Sequence, residues 1–284
     1  MRPALLMIFL ISVSILALAP AIAGAESFLI PFVAHNARGQ DETLWSSEIY
    51  LTNLGDQPVQ VSLIDFLPGV LERSRPCDRP TAPTRVVPPL SSVVWTASGL
   101  ATDLGCADRA IGSLVLSADG PIHVISRTVN HPAPTDHNRR GLLAGPGQEV
   151  EAISVDQLPG PGEYLLPSLI WHRNTCGPRE FDTYLGFANP GDLPVVAVLD
   201  VPPAAADGGV LVDDAEIELP HAIQVPARSW LQIHLEPKDD PTVRCLGPAS
   251  FVATVTTDGP IAIYGSVVSR GSSDPRTVLP VPLD

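Results

Sequence analysis

Apolar and polar residues trade places along this chain in short runs of period two, and Gly, Pro, Asn and Asp interrupt the runs about every ten residues. Val59, Val61 and Leu63 alternate with Gln60 and Ser62. Alternation of that kind predicts half-buried β-strands, and no stretch keeps the 3.6-residue rhythm of an amphipathic helix. Phe28 to Val33 and Tyr164 to Ile170 are apolar runs that contain Pro. Because Pro cannot donate to a central ladder, both are expected at sheet edges. The turn Asn53-Leu54-Gly55-Asp56 before Val59 predicts a hairpin, as does Asp119-Gly120-Pro121 between Ser113–Ser117 and Ile122–Val129. Val86-Val87-Pro88-Pro89 ends one strand and turns the chain into Ser92–Trp95. Val195 to Leu199 is almost uniformly apolar, so its outward face is expected to be covered.

These elements occur twice. Phe28-Leu29-Ile30-Pro31 returns as Tyr164-Leu165-Leu166-Pro167, and Asn53-Leu54-Gly55-Asp56-Gln57-Pro58-Val59 as Asn189-Pro190-Gly191-Asp192-Leu193-Pro194-Val195, each pair 136 positions apart (164 − 28 and 189 − 53). Cys106 and Asp119-Gly120-Pro121-Ile122 recur as Cys245 and Asp258-Gly259-Pro260-Ile261, 139 positions apart (245 − 106 and 258 − 119). The collinear repeat predicts an internal duplication. Its expected boundaries are a signal peptide at 1–25, a first domain at 26–145, an extended linker at 146–163 and a second domain at 164–284. Leu142-Leu143 and Val278-Leu279-Pro280-Val281 are expected to close the copies.

About seven short strands per copy with little helix is the pattern of an antiparallel β-sandwich. The fold expected is therefore all-β, two tandem sandwiches. The order of strand, Asn-x-Gly-Asp-x-Pro-Val turn, apolar alternation, and Val-Pro-Pro before a Ser-Val-Val strand resembles the immunoglobulin-like β-sandwich modules of bacterial exported and cell-surface proteins. That resemblance implies a spacer, adhesin or accessory module and brings no catalytic residues with it.

Composition narrows the partners. The 284 residues carry 17 Lys and Arg against 31 Asp and Glu, a net charge of −14. Nucleic acid and anionic lipid both call for clustered positive charge, so neither is an expected partner. Arg2, the apolar stretch Ala4 to Leu18 and the small residues Ala21-Ile22-Ala23-Gly24-Ala25 have the order of an export signal, with the mature chain starting near Glu26. The rival reading is an uncleaved anchor, since Pro3 to Ala25 is long enough to span a bilayer. Export to the periplasm or outside the cell, with no membrane insertion after cleavage, is the expectation.

Four cysteines in an exported chain predict two disulfides with three connectivities. Cys106 and Cys245 occupy repeated positions whereas Cys77 and Cys176 do not, so independent closure of each copy pairs Cys77 with Cys106 and Cys176 with Cys245. Zinc is not expected, because no C-x-x-C pair is present.

The chain shows no G-x-S-x-G, H-E-x-x-H, phosphate-binding or calcium-binding loop motif. His131, Asp136 and His137 share one loop, and Asp213-Asp214, Glu216, Glu218 and Asp239-Asp240 gather acids in the second copy. A Pro-stiffened surface loop and a solvated acidic face account for these better than a cation site or the opposed carboxylates of a glycosidase. No cofactor, metal or enzymatic activity is expected. Exposed aromatics stack on sugars or anchor interfaces, which makes Trp171, His172, Trp230 and Trp95 the candidate ligand-binding residues, while Trp45, matched by Phe181, is expected in the core. The function expected is non-catalytic binding of a protein or glycan at the cell surface. A structural spacer and a divergent carbohydrate-binding module are the alternatives.

Overall fold

Both the alternating and the continuous apolar runs become strands in the computed structural model, which describes residues 25–38, 44–70, 83–106, 109–131, 147–172, 181–200, 205–206, 210–211, 222–235, 248–269 and 275–283. The first half contains β1 (Glu26–His35), β2 (Ala37–Arg38), β3 (Leu44–Asn53), β4 (Val59–Pro68), β5 (Thr84–Val87) and β6 (Ser91–Trp95). A helix, α1 (Ala97–Leu104), follows, then β7 (Ala110–Ala118), β8 (His123–His131), β9 (Gly147–Glu151) and β10 (Ile153–Ser154). In the second half come β11 (Gly162–His172), β12 (Phe181–Asn189), β13 (Val195–Asp200), β14 (Ala205–Ala206), β15 (Val210–Leu211) and β16 (Ala222–Val225). β17 (Ser229–Leu235), β18 (Pro248–Thr257), β19 (Ala262–Ser269), β20 (Pro275–Val278) and β21 (Val281–Pro282) complete it.

Two antiparallel sheets face each other in each half. The larger runs β10-β1-β7-β4-β5 in the first and β21-β11-β18-β13-β16 in the second; the smaller runs β6-β3-β8-β9, with the two-residue β2 added beside β3, and β17-β12-β19-β20. Apart from β2 the strand orders correspond one for one. Between the sheets, Phe28, Ile30, Ile49, Leu51, Trp95 and Leu116 belong to the first core, and Leu166, Leu185, Phe187, Val255 and Ile263 to the second. The all-β sandwich expectation therefore holds, and what the chain shares with immunoglobulin-like modules is this pair of packed antiparallel sheets.

Several local expectations are corrected. The repeated turns do not make hairpins: β3 and β4 lie in opposite sheets, as do β7 and β8. A two-residue type I′ hairpin needs positive φ at both central residues, and among the described glycines only Gly105 has it. Instead Asp119 Oδ1 accepts from the Gln60 amide at 2.7 Å and Asp258 Oδ1 from that of Val196 at 2.8 Å, which ties each turn to a neighbouring crossing. β1 and β11 are not edge strands either, because each is paired on both sides. Their prolines fall at bulges, where the register shifts between Ile30 and Val33 and between Leu166 and Leu169. Nor is the stretch 146–163 an extended linker throughout. Residues 147–154 form β9 and β10, so that Val150 and Ile153 correspond to Val278 and Val281, 128 positions on (278 − 150 and 281 − 153), while Leu142-Leu143 lies outside the described residues. Val198, expected under cover, is 44% exposed.

A buried amide closes two crossings at once in each half. Asn53 Nδ2 donates towards the carbonyls of Gln57 (2.7 Å), Val87 (3.1 Å) and Pro88 (3.2 Å), and its Oδ1 accepts from the Gly55 amide at 2.8 Å. Asn189 does the same with Leu193 (2.8 Å), Val225 (3.3 Å), Pro226 (3.0 Å) and Gly191 (3.0 Å). The β3–β4 crossing is thereby fastened to the β5–β6 crossing, and β12–β13 to β16–β17. Both asparagines are fully buried, so a missing partner is not replaced by water. Asn189→Ala is expected to cost about 3 kcal/mol, from the penalty of buried carbonyls left unpaired, and urea unfolding should show a lower midpoint at unchanged slope.

Candidate functional site

The strand ends divide each sandwich into two unlike ends. At one lie the short tied crossings: 54–58, 88–90 and 119–122 in the first half, 190–194, 226–228 and 258–261 in the second. At the other lie the ends of β1, β4 and β8 and the starts of β3, β5, β7 and β9, joined through the longer connections; β11, β13, β17 and β19 end likewise in the second half. Arg38 and Arg109 are exposed and His35 and His131 half-buried at this open end of the first sandwich.

Two of the four candidate ligand-binding residues are not on the surface. Trp95 is 1% exposed in the first core; its indole Nε1 donates to Asp103 Oδ2 on α1 at 2.8 Å, and the Arg85 guanidinium lies over its ring. Trp230 is 3% exposed. It points out of its own sandwich and into the first. Trp171 and His172 pair through the β11 backbone with Ala249 and Pro248, and their side chains lie outside the described residues. Trp45 is half-buried against the contact between the sandwiches rather than in the first core, whereas Phe181 packs against the second core. Cys106 is disulfide-bonded and 8% exposed; Cys77, Cys176 and Cys245 lie outside the described residues. So do Asp136, His137, Asp213, Asp214, Glu216, Glu218, Asp239 and Asp240. Among the described residues no three His, Cys, Asp or Glu side chains gather to hold a metal, and no helix is long and apolar enough to cross a membrane.

The contact that swallows Trp230 fixes how the two open ends stand to each other. Leu29, Phe32, Ala34, Leu67, Ile111 and Val115 of the β10-β1-β7-β4-β5 sheet form one apolar cluster with Ala188, Trp230, Ala262 and Tyr264 of the β17-β12-β19-β20 sheet. The Phe32 ring is 5.7 Å from that of Trp230, whose Nε1 donates to the Tyr264 hydroxyl at 3.1 Å. Burial pushes that hydroxyl far above the usual tyrosine range. Gly186 is required beneath Tyr264, since a Cβ there would lie 2.0 Å from the ring. Gly69 bridges Trp230 and the Val70 amide donates to the Trp230 carbonyl at 2.9 Å, so the end of β4 pairs with the edge of β17. At the rim, Arg228 reaches the 2%-exposed Asp65 carboxylate, and Gln148 bonds Ser266 and Thr277.

Register also assembles a cluster that no sequence motif marks. His234 faces Tyr184 across β12–β17; the rings stack at 4.6 Å, and His234 Nε2 is 3.3 Å from Asp182 Oδ1. Asp182 is 4% exposed. Alternation puts Asp182 and Tyr184 on one face, but only the pairing with β17 brings the imidazole to them. The carboxylate orients the ring and the tyrosine supports it, which leaves a half-buried polar platform at the open end of the second sandwich.

The chain matches no protein-family model and no curated protein. A solved structure that it matches is the C-terminal domain of the antigen I/II-family protein AspA of Streptococcus pyogenes, at 8% identity over 91% of this chain and 99% of that one, with a TM-score of 0.23. A likeness of that degree carries no argument about function.

His35 adds a pH-sensitive element at the open end of the first sandwich. Its Nε2 is 3.1 Å from Asn36 Nδ2, its Nδ1 is buried without a hydrogen-bond partner among the described residues, and burial lowers its pKa below 6.5. The folded state therefore binds this proton less readily than the unfolded chain, so the stability it protects is complete above pH 6.5 and is lost as pH falls from there through the lowered folded-state pKa. His35→Phe should flatten this part of the acid slope in urea midpoints measured against pH.

Proposed function

We propose that the chain is a non-catalytic exported protein that binds a protein or glycan partner at the cell envelope or outside the cell through the open ends of its two sandwiches. The observation that carries this reading is the division of each sandwich: short crossings fastened by Asn53 or Asn189 at one end, and the longer connections gathered at the other. A scaffold that presents loops from one rigid end is how sandwich modules build binding surfaces. The amino-terminal signal-like segment and the acidic balance of 31 acids against 17 cations support export and argue against nucleic acid as the ligand. The spacer reading draws support from the apolar contact that holds the sandwiches in one orientation. A carbohydrate-binding module loses two of its four candidate side chains, Trp95 and Trp230, to burial.

Residues 26–284, oxidised, would be tested for capture of partners from the envelope and secreted fractions and for retention on a polysaccharide panel. Arg38→Glu with His131→Ala at the first open end, or Tyr184→Ala with His234→Ala at the second, should weaken capture at least tenfold. Asp56→Ala at the tied end should leave it unchanged. Equal loss from all variants, or turnover of a substrate abolished by a single acid or His, would sink the proposal. The disulfides are proposed to close each sandwich separately, Cys77 with Cys106 and Cys176 with Cys245. Non-reducing peptide mapping should recover those two pairs, and a peptide linking Cys77 to Cys176 would refute them.

A further inference from the structure

The contact between the sandwiches joins unlike surfaces: the outer face of the larger sheet of the first meets the outer face of the smaller sheet of the second. A contact of that kind does not close on itself. It leaves one copy of each face unused, the larger-sheet face of the second sandwich and the smaller-sheet face of the first, so repetition would build an open stack. The strand registers show what stands at the equivalent positions. In the second sandwich Ala188 pairs with Trp230 and with Ala262; in the first, Thr52 pairs with Ser92 and with His123. Gly186 and Tyr264 face each other in the contact, and their equivalents are Tyr50 and Ile125. Thr52 and Ser92 share a 2.9 Å hydrogen bond on an open surface where Ala188 and Trp230 are buried.

The other face has changed in the same sense on the β7/β18 side, where Val115 becomes Thr254 and Ile111 becomes Ser250, while Leu29 and Ala34 remain apolar as Leu165 and Ile170. Leu29 pairs with Val115 and Ala34 with Ile111 in the first sandwich, whereas Leu165 pairs with Thr254 and Ile170 with Ser250 in the second. Phe32, two steps after the Ile30 bulge position, corresponds to Ser168, which is exposed with φ of 59°. The three buried aromatic members of the contact, Phe32, Trp230 and Tyr264, therefore have non-aromatic equivalents, Ser168, Ser92 and Ile125, while the half-buried Trp45 at its margin keeps an aromatic equivalent in Phe181. Tyr50 in place of Gly186 adds a steric block, because the seat of Tyr264 tolerates no side chain beneath the ring. Val and Ile positions become Thr and Ser, which removes apolar area, and Thr does so while keeping strand propensity.

We infer that the sandwich faces are a self-recognition surface used once, and that Thr52, Ser92, His123, Ser168, Ser250 and Thr254 at equivalent outward positions, with Tyr50 as a steric block, end the stack at two units. The chain then neither forms head-to-tail filaments nor recruits another sandwich of its kind through its sheet faces. This goes beyond the binding proposal, since it concerns the sheet faces and not the open ends. Terminal repeats of stacked proteins need polar outer faces for the same reason: an apolar face left over would find another copy.

Two single-face variants test the inference. One carries Tyr50→Gly, Thr52→Ala, Ser92→Trp and Ile125→Tyr; the other carries Ser168→Phe, Ser250→Ile and Thr254→Val. With folding checked by circular dichroism and cooperative unfolding, each alone should sediment as a monomer, and an equimolar mixture should double in mass. Folded variants that stay monomeric in the mixture, or that self-associate alone as strongly as together, would overturn it. The unmodified chain from residue 26 supplies a second reading that does not depend on the variants folding. It should show no association that Ser92→Arg or Ser250→Arg abolishes; association broken by either substitution would show that the faces do stack and would overturn the inference.

Discussion

Everything that distinguishes this molecule from two beads on a string depends on one constraint, the burial of Trp230 and Tyr264 of the second sandwich against Phe32, Leu29 and Ile111 of the first. The indole can leave water here because its N–H finds an acceptor inside the contact, Trp230 Nε1 donating to the Tyr264 hydroxyl. Gly186 yields the space, Gly69 lets the β4 end pair with the β17 edge, and Arg228 covers the Asp65 carboxylate at the rim. The last pair is specific more than stabilising, since a buried carboxylate without its guanidinium would be costly while the pair itself gains little over apolar packing. The larger sheet of the first sandwich is consequently covered on both faces. That is why β1 and β7 are buried along nearly their whole length, whereas β5, at the edge of that sheet, is not.

The same constraint connects architecture to the proposed function. A rigid contact holds the two open ends in one relative placement, so a partner touching both would meet a preorganised surface and lose less entropy on binding. At the tied ends, Asn53 and Asn189 do the opposite work. Each commits its amide to three carbonyls and its oxygen to one N–H, which removes freedom from the crossings. Variation in length is consequently confined to the end where no such tie exists. His35, with its lowered pKa, and the cluster of Asp182, Tyr184 and His234 also lie towards that end.

How much of this is legible in the residues can be argued from particular positions. Asn53-Leu54-Gly55-Asp56 and Asn189-Pro190-Gly191-Asp192 mark the turns, because Asn and Gly are what a buried side-chain cap and a close backbone approach require. Period two marks the strands and their buried faces, since side chains alternate across any pleated strand whatever its neighbour. Neither signal says which strand is the neighbour. A hairpin and a crossing to the opposite sheet both bury every second residue, so alternation predicts hairpins at β3–β4 and β7–β8 where the chain in fact changes sheet. Val150 and Ile153 do not read as the closing strands of the first sandwich, because two short apolar positions among Gln148, Glu149 and Glu151 resemble a linker until their partners β8 and β1 are in place.

The sequence by itself determined the all-β class, the repeated order of elements, the turn positions and the acidic balance, because local propensity, alternation and charge are properties of short windows. Only the tertiary structure decided the pairing of strands, the burial of Trp95 and Trp230, the meeting of His234 with Asp182 and Tyr184, and the contact between unlike faces. Those depend on which surfaces lie opposite one another between segments distant along the chain. Trp95 and Trp230 make the difference concrete: the same residue type on corresponding strands, separated by a three-residue offset in register, fills a core in one sandwich and joins two sandwiches in the other.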